Sequence, residues 1–358
     1  MYNNFMESLE SHKIPFYAQS FEDLGKRFRE NDLVSAGVGR LFNWHYKAGH
    51  KKTCVEGLAL KSQDFLAKEF HFELPKIDQV FRADDKTVKF LFKLSDGRKV
   101  ESVLIPFQKK YSLCLSSQVG CAMKCSFCFT GTQGLTRHLS TQEIVGQFLG
   151  AQEWLSQNRP EEDRILNLVF MGQGEPLHNF DAIKKACEIF LCQHGLSLGR
   201  SKITVSTSGY LPGLQKWRDE MPDVNLALSL HSPFNAKRNE LIPLNKCYPL
   251  ETILPIIQNL PLGRKRFITY EYLVIKGFND SEEDAHATGS LIQDQKALVN
   301  LIPFNPYPGS PYERPDIETM EVFKSILEQY CIPTMVRTTK GDDILAACGQ
   351  LNTREESV

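Results

Sequence analysis

The strongest constraint on the fold is a regular alternation of short apolar strands with helices along most of the chain. Apolar runs predict strands at 111–116, 165–171, 202–207, 224–230, 267–275, 298–304 and 334–338. Helical stretches separate most of them, at 140–157, 179–194, 249–260, 281–295 and 316–330, with Ser140, Asn179 and Ser281 expected as N-caps. Because parallel strands need such crossovers, the pattern predicts an α/β fold, a barrel or partial barrel of about six strand–helix units.

The first part of the chain follows a different pattern. Residues 1–75 carry apolar side chains at helical spacing up to a break at Pro75, which predicts a small helical accessory domain. Polar and apolar residues then alternate, with Asp96-Gly97 as a hairpin turn, which predicts a β-hairpin. We therefore expect an accessory domain at 1–75, a β-hairpin linker at 76–107, the α/β core at 108–345 and a carboxyl-terminal segment at 346–358.

Composition narrows the class of protein. The amino terminus lacks the charge and apolar order of a signal peptide, and no run approaches the roughly 18 apolar residues of a membrane span, so we expect a cytoplasmic protein. The formal net charge of -1 neither favours nor excludes a nucleic-acid partner. Ten cysteines in such a chain indicate metal binding or catalysis rather than disulfides. Five stand alone and are expected to be buried core thiols: Cys54, Cys187, Cys192, Cys247 and Cys331.

Three further cysteines form a cluster in the stretch "GCAMKCSFCFTG". Cys121, Cys125 and Cys128 follow the first core strand with the spacing C-x3-C-x2-C, which lets three sulfurs converge on one centre. Zinc and iron–sulfur sites usually take four protein ligands. Cys114 could complete a structural tetrad, but it lies within the predicted strand. The spacing and the loop position favour a [4Fe-4S] cluster with one open iron over a zinc site.

Other unusual segments also follow predicted strands. They are "GQGEP" at 172–176, "STSG" at 206–209, "SLH" at 229–231, "PFNPYPGSPY" at 303–312 and "KGDDILAACGQL" at 340–351. In parallel α/β folds the chemistry lies on the loops after the carboxyl ends of the strands. We therefore expect these segments to meet at one rim, where the glycines of "GQGEP" permit a close backbone approach to a ligand.

The cysteine spacing, with Phe127 before Cys128, resembles the signature of the radical SAM superfamily. In that superfamily the open iron binds S-adenosylmethionine, which is cleaved to a 5′-deoxyadenosyl radical. The similarity extends from about residue 85 onward, and "RTTKGDDILAACGQL" at 337–351 resembles the carboxyl terminus of the RlmN family. These enzymes methylate carbon 2 of adenine in RNA. The resemblance implies a partial (β/α)6 radical SAM barrel, with an RNA-binding-like accessory domain in front of it.

The resemblance also implies roles for individual residues. The cluster cysteines would hold the [4Fe-4S] cluster, while Cys348 would accept a methyl group. Glu101 would remove a proton from the RNA–protein adduct, and Cys114 would attack the sulfur of Cys348 and form a disulfide as the methylated base leaves. The predicted contacts to S-adenosylmethionine are Gly174, Glu175, Ser206, Ser229, Leu230, His231 and Asn305.

The same resemblance implies partners. The expected substrates are an adenine of 23S rRNA in the peptidyl transferase centre and, in addition, the adenine at position 37 of tRNAs. Flavodoxin or ferredoxin would supply electrons, and we expect a monomer.

Two alternatives stay open. The sister group Cfr methylates carbon 8 of the same adenine, although Pro176, Asp342-Asp343 and the "NPYPGSPY" loop favour RlmN. A non-catalytic iron–sulfur or zinc protein that binds RNA is the other alternative. The presence of both Cys114 and Cys348 argues against it.

Overall fold

The predicted α/β architecture is confirmed in a computed structural model that describes residues 13–47, 55–107, 110–162, 164–221, 223–261 and 266–353. The strands of this part of the chain are β1 (Ile14–Pro15), β2 (Phe70–His71), β3 (Lys76–Arg82), β4 (Val88–Lys93), β5 (Lys99–Phe107), β6 (Lys110–Cys114), β7 (Gln118–Gly120), β8 (Leu135–His138), β9 (Ile165–Phe170), β10 (Ile203–Thr207), β11 (Asn225–Ser229), β12 (Ile268–Val274), β13 (Ala297–Pro303) and β14 (Thr334–Val336). The α-helices are α1 (Phe21–Glu30), α2 (Ala36–Phe42), α3 (Leu60–Glu69), α4 (Thr141–Asn158), α5 (Phe180–Leu191), α6 (Leu211–Glu220), α7 (Asn235–Leu241), α8 (Leu250–Gln258), α9 (Glu282–Ile292) and α10 (Ile317–Gln329).

One sheet of ten strands organises the fold. Its order is β14-β13-β12-β11-β10-β9-β6-β5-β4-β3, and the pairs from β6 to β14 are all parallel. All seven predicted core strands and all five predicted core helices are present, with ends within a few residues of the predicted ones. The sequence pattern did not predict α6 and α7. In α6, Pro212 and Gly213 are residues that usually interrupt a helix, and α7 has only 7 residues. The short antiparallel pair β7 and β8 was also missed.

The predicted hairpin is present, with its turn at Asp96-Gly97 between β4 and β5, and Gly97 has the positive φ of 82° that such turns require. A third strand, β3, precedes it. Antiparallel pairing of β5 with β6 joins all three strands to the main sheet. This register sets Glu101 opposite Leu91 and Val103 opposite Cys114, so two predicted catalytic residues lie on adjacent strands. The proposed domain boundaries stay a prediction.

Two of the three predicted helix caps are confirmed. Ser140 and Ser281 each form a capping box with the acidic residue three positions later. The prediction for Asn179 is wrong, because its side chain makes no capping bond. It donates instead to the carbonyl oxygens of Ser117 and Leu139, at 2.9 and 2.8 Å. The Asn179 side chain therefore makes tertiary contacts instead of capping the helix. These contacts hold the loop that precedes the cluster cysteines.

A buried glutamine fixes the same loop from the other side. Gln147 of α4 accepts hydrogen bonds from the Ser102 hydroxyl (2.6 Å) and the Ser116 amide (3.0 Å), and it donates to the Ser116 carbonyl (3.1 Å). Because Gln147 is fully buried, these bonds satisfy groups that would otherwise be costly to bury. They tie β5, α4 and the chain that leads to Cys121 into one unit.

The isolated cysteines only partly match the expectation of core thiols. Cys187 is buried and Cys192 is half-buried, whereas the prediction is wrong for Cys247 and Cys331, which are exposed. Cys247 ends a 3-10 turn, and Cys331 follows α10 with a positive φ of 58°, so both lie where the chain turns at the surface. Cys54 lies outside the described residues. Within the described part of the chain, no helix combines the length and the apolar character needed to cross a membrane.

A pair of helical glycines provides a test of this packing. A Cβ at Gly213 of α6 would lie 2.4 Å from the carbonyl oxygen of Leu177, which follows the "GQGEP" loop. We expect Gly213→Ala to lower the free energy of unfolding by about 1–3 kcal/mol, because backbone has to move. Gly25→Ala in α1 is the matched control, since its Cβ would meet the Arg29 side chain at 3.6 Å. It should raise stability by about 0.5–1 kcal/mol. Urea denaturation measures both, and equal effects would contradict this account.

Candidate active site at the carboxyl ends of the parallel strands

A single cavity of about 160 Å³ collects most of the predicted site. Its wall is built by loops that follow different strands of the parallel sheet, as the sequence pattern predicted. The predicted residues in the wall are Cys121, Cys125, Cys128, Gly174, Glu175, Ser206, Ser229, His231 and Cys348. The predicted residues that do not line it are Glu101, Cys114, Leu230 and Asn305.

The three cluster cysteines converge on one side of this cavity. Lys124 has a positive φ of 54°, and the Gly131 amide donates to the Cys128 carbonyl at 3.0 Å, so the loop turns back on itself. A Cβ at position 131 would lie 2.9 Å from the carbonyl oxygen of Cys125, so this fold of the loop requires glycine. Burial raises the pKa of Cys121 to about 12 and raises the pKa values of Cys125 and Cys128 as well. The thiols are therefore neutral unless a positive centre binds them.

These residues fit an iron–sulfur cluster better than a single ion. Among the residues that the structure describes, no three His, Cys, Asp or Glu side chains could hold one metal ion. A [4Fe-4S] cluster is larger and accepts thiolates that are spaced further apart. The three cysteines share the lining of the cavity with the polar residues Glu175, Ser206 and Ser229. An iron without a protein ligand would have room there for a polar cofactor.

Glu175 is held rigidly at the cavity wall. Its carboxylate accepts hydrogen bonds from the amide and the hydroxyl of Ser208, both at 2.8 Å, and from the Leu177 amide at 3.0 Å. Its own amide donates to Gln118 Oε1 at 2.8 Å. Burial raises the pKa of Glu175, and the bonds from Ser208 oppose that rise. Gly174 has a φ of 101°, and a Cβ there would lie 2.6 Å from Gln118 Cβ, so only glycine permits this approach.

His231 is a neutral wall residue in a strained backbone conformation. Its φ is 56°, which is rare for a residue with a side chain. Nδ1 accepts a hydrogen bond from the Leu273 amide at 2.9 Å, which leaves the ring proton on Nε2. Burial and the nearby Arg238 lower the pKa of His231 to about 3. The ring packs edge-on against Phe127, with centroids 4.7 Å apart, so it is a fixed neutral group and not a proton shuttle at neutral pH.

Cys348 lies in a carboxyl-terminal segment that is bound to the cluster loop. The Phe129 amide donates to the Gly349 carbonyl, and the Thr130 hydroxyl donates to the Leu351 carbonyl, both at 2.7 Å. Cys348 is exposed because it borders the open cavity, yet enough protein surrounds it to raise its pKa to about 11. Its thiol therefore faces the same space as the cluster cysteines.

Asn305 holds this segment rather than lining the cavity. Its Nδ2 donates to the Cys348 carbonyl at 3.2 Å, while its Oδ1 accepts from Arg314 and Thr339 at 3.1 and 3.0 Å. The side chain is therefore committed to positioning Cys348. Leu230 is likewise a buried residue, whose amide donates to the Glu271 carbonyl at 2.9 Å.

The two predicted relay thiols come close although they are far apart in the chain. Cys114, buried at the end of β6, packs in one apolar cluster with Val103, Ala346 and Leu351. Ala346 and Leu351 lie on either side of Cys348 in the chain. Burial and the neighbouring Cys348 raise the pKa of Cys114 to about 12. Both cysteines are free thiols in this structure. Cys114 therefore packs against the segment that carries Cys348, although it does not line the cavity.

Glu101 also reaches the carboxyl-terminal segment. Its carboxylate forms a buried ion pair with Lys89 at 3.0 Å and accepts a hydrogen bond from the Asn352 amide at 2.7 Å. Lys89 donates to the Leu345 carbonyl at 3.3 Å as well. Burial raises the pKa of Glu101, and Lys89 opposes that rise. The ion pair therefore connects β4 and β5 to both flanks of Cys348.

The sequence pattern did not identify Glu271 as a site residue. This buried residue of β12 lines the cavity and accepts a hydrogen bond from Asn300 at 2.9 Å. Burial raises its pKa, and among charged neighbours it contributes most to the raised pKa of Cys348. A glutamate inside the otherwise apolar strand "FITYEYLVI" was the available signal, because a carboxyl group is rarely buried without a purpose.

Comparison with known proteins agrees with this geometry. Residues 115–288 match the Radical SAM superfamily. A solved structure described as a radical SAM methyltransferase from Sphaerobacter thermophilus superposes with a TM-score of 0.86 at 34% sequence identity. That match covers 94% of this chain and 99% of the other. The fold and the superfamily predicted from the sequence are confirmed.

Two relatives extend the similarity over nearly the full chain. A protein of Aquifex aeolicus named "Probable dual-specificity RNA methyltransferase RlmN" is 43% identical, covering 94% of this chain and 96% of that protein. A protein of Bdellovibrio bacteriovorus named "Dual-specificity RNA methyltransferase RlmN" is 39% identical, covering 99% of this chain and 88% of that protein. At this identity and coverage, the chain belongs to the RlmN family of radical SAM RNA methyltransferases.

Proposed function

We propose that this chain methylates carbon 2 of an adenine in RNA and uses Cys348 as the methyl carrier. The observation that carries the proposal is that Cys348 faces the same cavity as the three cluster cysteines. A second cysteine, Cys114, packs with Ala346 and Leu351 of the segment that carries Cys348 and interacts electrostatically with Cys348. A methyl carrier needs both neighbours, one to activate the methyl group and one to release it.

The cofactors of this radical SAM enzyme are a [4Fe-4S] cluster and S-adenosylmethionine. When bound, they supply a methyl group and a radical that abstracts hydrogen. We assign the cluster to Cys121, Cys125 and Cys128. Contacts to S-adenosylmethionine are assigned to the residues that the sequence predicted for this role, which are Gly174, Glu175, Ser206, Ser229, Leu230, His231 and Asn305. Two of these act indirectly, since the Leu230 amide bonds to β12 and the Asn305 side chain bonds to the Cys348 carbonyl.

Wall residues bind and orient in this scheme. The Glu175 carboxylate, held by Ser208, is a fixed acceptor for an ammonium group. Neutral His231 offers its Nε2 proton as a donor without changing charge. Both groups are set before any ligand enters, so binding costs little reorganisation.

The Cys348 thiolate would take up the methyl group of S-adenosylmethionine as a thioether, with S-adenosylhomocysteine as the leaving group. The methyl carbon, after loss of a hydrogen atom to the radical that the cofactors supply, would add to carbon 2 of the adenine, and the resulting covalent RNA–enzyme adduct would carry the unpaired electron. Glu101 accepts the proton that the adduct must lose. To do so, one oxygen of its carboxylate gives up the hydrogen bond from the Asn352 amide and contacts the substrate instead. The Cys114 thiolate attacks the sulfur of Cys348, so that an S–S bond forms as the C–S bond breaks, and the methylene carbon released with the base takes up a proton to become the methyl group. The unpaired electron of the adduct would return to the iron–sulfur cluster. Reduction of this disulfide restores both thiols.

We propose 23S rRNA and tRNA as the two substrates, with the peptidyl transferase centre and position 37 as the respective sites. The names of the relatives support two RNA specificities. Carbon 2 lies inside a base stack, so the target adenine must be unpaired or extruded. Flavodoxin or ferredoxin is proposed as electron donor, and the enzyme is proposed to act as a monomer.

Nucleoside mass spectrometry tests the proposal directly. The reconstituted enzyme is incubated with 23S rRNA and with tRNA from a strain that lacks this gene. We expect 2-methyladenosine in both RNAs and none with Cys348→Ala. Formation of 8-methyladenosine would indicate the Cfr-type reaction, and modification of one RNA alone would exclude dual specificity.

The cluster assignment predicts the iron content of cysteine variants. Cys121→Ala should lose the [4Fe-4S] cluster, because two thiolates do not retain it. Cys247→Ala is the matched control, since Cys247 is exposed and lies outside the cavity wall. Iron and sulfide analysis of anaerobically purified proteins measures the outcome. A full cluster in Cys121→Ala would refute the assignment.

The relay assignment predicts that Cys114→Ala accumulates a covalent RNA–protein adduct. The carbon–sulfur bond to Cys348 forms as usual, but no thiol is left to break it. Denaturing gels would reveal a slowly migrating protein that ribonuclease converts to the normal size. Cys331→Ala, which changes an exposed cysteine, should form no lasting adduct, and neither should Cys348→Ala. Absence of the adduct from Cys114→Ala would count against the relay.

The buried ion pair predicts a pH effect. Lys89 opposes the raised pKa of Glu101, so Lys89→Met should raise that pKa further. Since a base acts when ionised, the acid limb of the rate of adduct resolution should move to higher pH, with a loss of about tenfold per pH unit below the new pKa. Lys89→Arg should retain most of the wild-type profile. Lys93→Met, at the exposed end of β4, is the control. An unchanged profile in Lys89→Met would exclude Glu101 as the base.

A further inference from the structure

One charged group near the cavity has no charged partner. Arg238 of α7 is 0% exposed, although it does not line the cavity. Its Nε donates to the Leu230 carbonyl at 3.1 Å, and its Nη2 donates to the carbonyls of Ser208 and Ser229 at 2.7 and 3.1 Å. Its Nη1 donates to Asn245 Oδ1. All four acceptors are neutral.

The charge of this guanidinium is therefore uncompensated. Burial lowers the pKa of Arg238 to about 10, which still leaves it protonated at neutral pH. Across the described residues, no carboxylate favours its charge, and Cys125 is the ionisable side chain that does. The adjacent Lys237 differs, because Asp284 pairs with it at 2.7 Å. Burying an unpaired cation is costly, so a fold that does so is expected to bring an anion to it.

The cluster loop lies next to the helix that carries Arg238. The amide of Ser126 donates to the carbonyl of Leu241, the last residue of α7, at 3.0 Å. Cys125 packs against the apolar cluster that contains Leu241 and Ile242. Arg238 lies about one helical turn before Leu241. The guanidinium is therefore close enough to Cys125 to interact with it electrostatically, although it does not line the cavity.

We propose that Arg238 is the built-in countercharge of the iron–sulfur cluster and raises its reduction potential. This inference rests on the cluster ligands assigned in the proposed function. An oxidised [4Fe-4S] core with three thiolates carries one net negative charge, and the reduced form carries two. A fixed buried cation stabilises the reduced form more, because the attraction grows with the added electron. The electron comes from a reduced flavin or iron–sulfur carrier, and no bond of Arg238 changes.

If Arg238 served only to donate hydrogen bonds, its positive charge would not be needed. The three carbonyl oxygens and the Asn245 amide accept hydrogen bonds from any donor, so they require hydrogen bonding and not charge. Arg238 is therefore a positioning residue for the loops of Ser208 and Ser229, and its charge is available to act on the cluster.

Potentiometric titration of the reconstituted enzyme, followed by electron paramagnetic resonance in the absence of S-adenosylmethionine, tests the proposal. Arg238→Gln should shift the midpoint potential of the cluster to more negative values, whereas Arg238→Lys should stay near wild type. Lys246→Gln is the matched control, because it removes an exposed positive charge next to Asn245 in the chain, which solvent screens. Its potential should stay near that of the wild type.

A second pair of variants keeps the arginine. Asn245→Asp supplies a carboxylate to Nη1, and Asn245→Ala does not, while both lose the amide donor of Asn245. The aspartate variant should have the more negative potential of the two. If Arg238→Gln does not fold, this comparison tests whether the charge of Arg238 affects the potential of the cluster.

The outcomes separate the two proposals. Equal potentials in Arg238→Gln and Arg238→Lys at full iron content, or in the two Asn245 variants, would overturn the role of Arg238 and leave the cluster ligands intact. Wild-type protein without a cluster, or a full cluster in Cys121→Ala, would instead overturn the ligand assignment on which this inference rests.

Discussion

The site depends on hydrogen bonds that hold residues 337–353 across the ends of the sheet. These residues follow β14, at one edge of the sheet, yet they bond to Asp85, which follows β3 at the other edge, and to Lys89 and Glu101 of β4 and β5. The same residues also accept hydrogen bonds from the cluster loop and from the Asn305 side chain. An irregular segment with three left-handed positions, Gly341, Leu345 and Gly349, is stable because so many of its polar groups are paired with other elements.

Buried charge is the second organising feature. Glu101 is compensated by Lys89, whereas Glu175 and Glu271 are held by neutral donors and Arg238 by neutral acceptors. Such an interior is expensive in isolation and becomes favourable when charged cofactors enter. Burial also raises the pKa values of the cavity thiols, and nearby negative groups such as Glu271 add to the rise at Cys348.

Much of the fold followed from the sequence because strand–helix alternation leaves few arrangements. The seven core strands, the hairpin turn and the rim position of the cysteine loop were predictable from periodicity, glycine and cap residues. Two departures from the expectation share one origin, which is that a tertiary contact determines the role of the side chain. Asn179 had the sequence position of a cap but bonds to two distant carbonyls, and Glu271 looked like part of an ordinary strand until its neighbours were known.

The sequence by itself determined the chemistry that the site can perform, since cysteine spacing and the "AACGQL" segment specify the reactive groups. Only the tertiary structure decided which of those groups share a space. It brings Cys348 to the cavity of the cluster cysteines, packs Cys114 against the segment that carries Cys348, and surrounds the Arg238 guanidinium with neutral acceptors. The physical reason is that reactivity belongs to individual side chains, whereas burial, charge compensation and contact depend on residues that meet only after the sheet has formed.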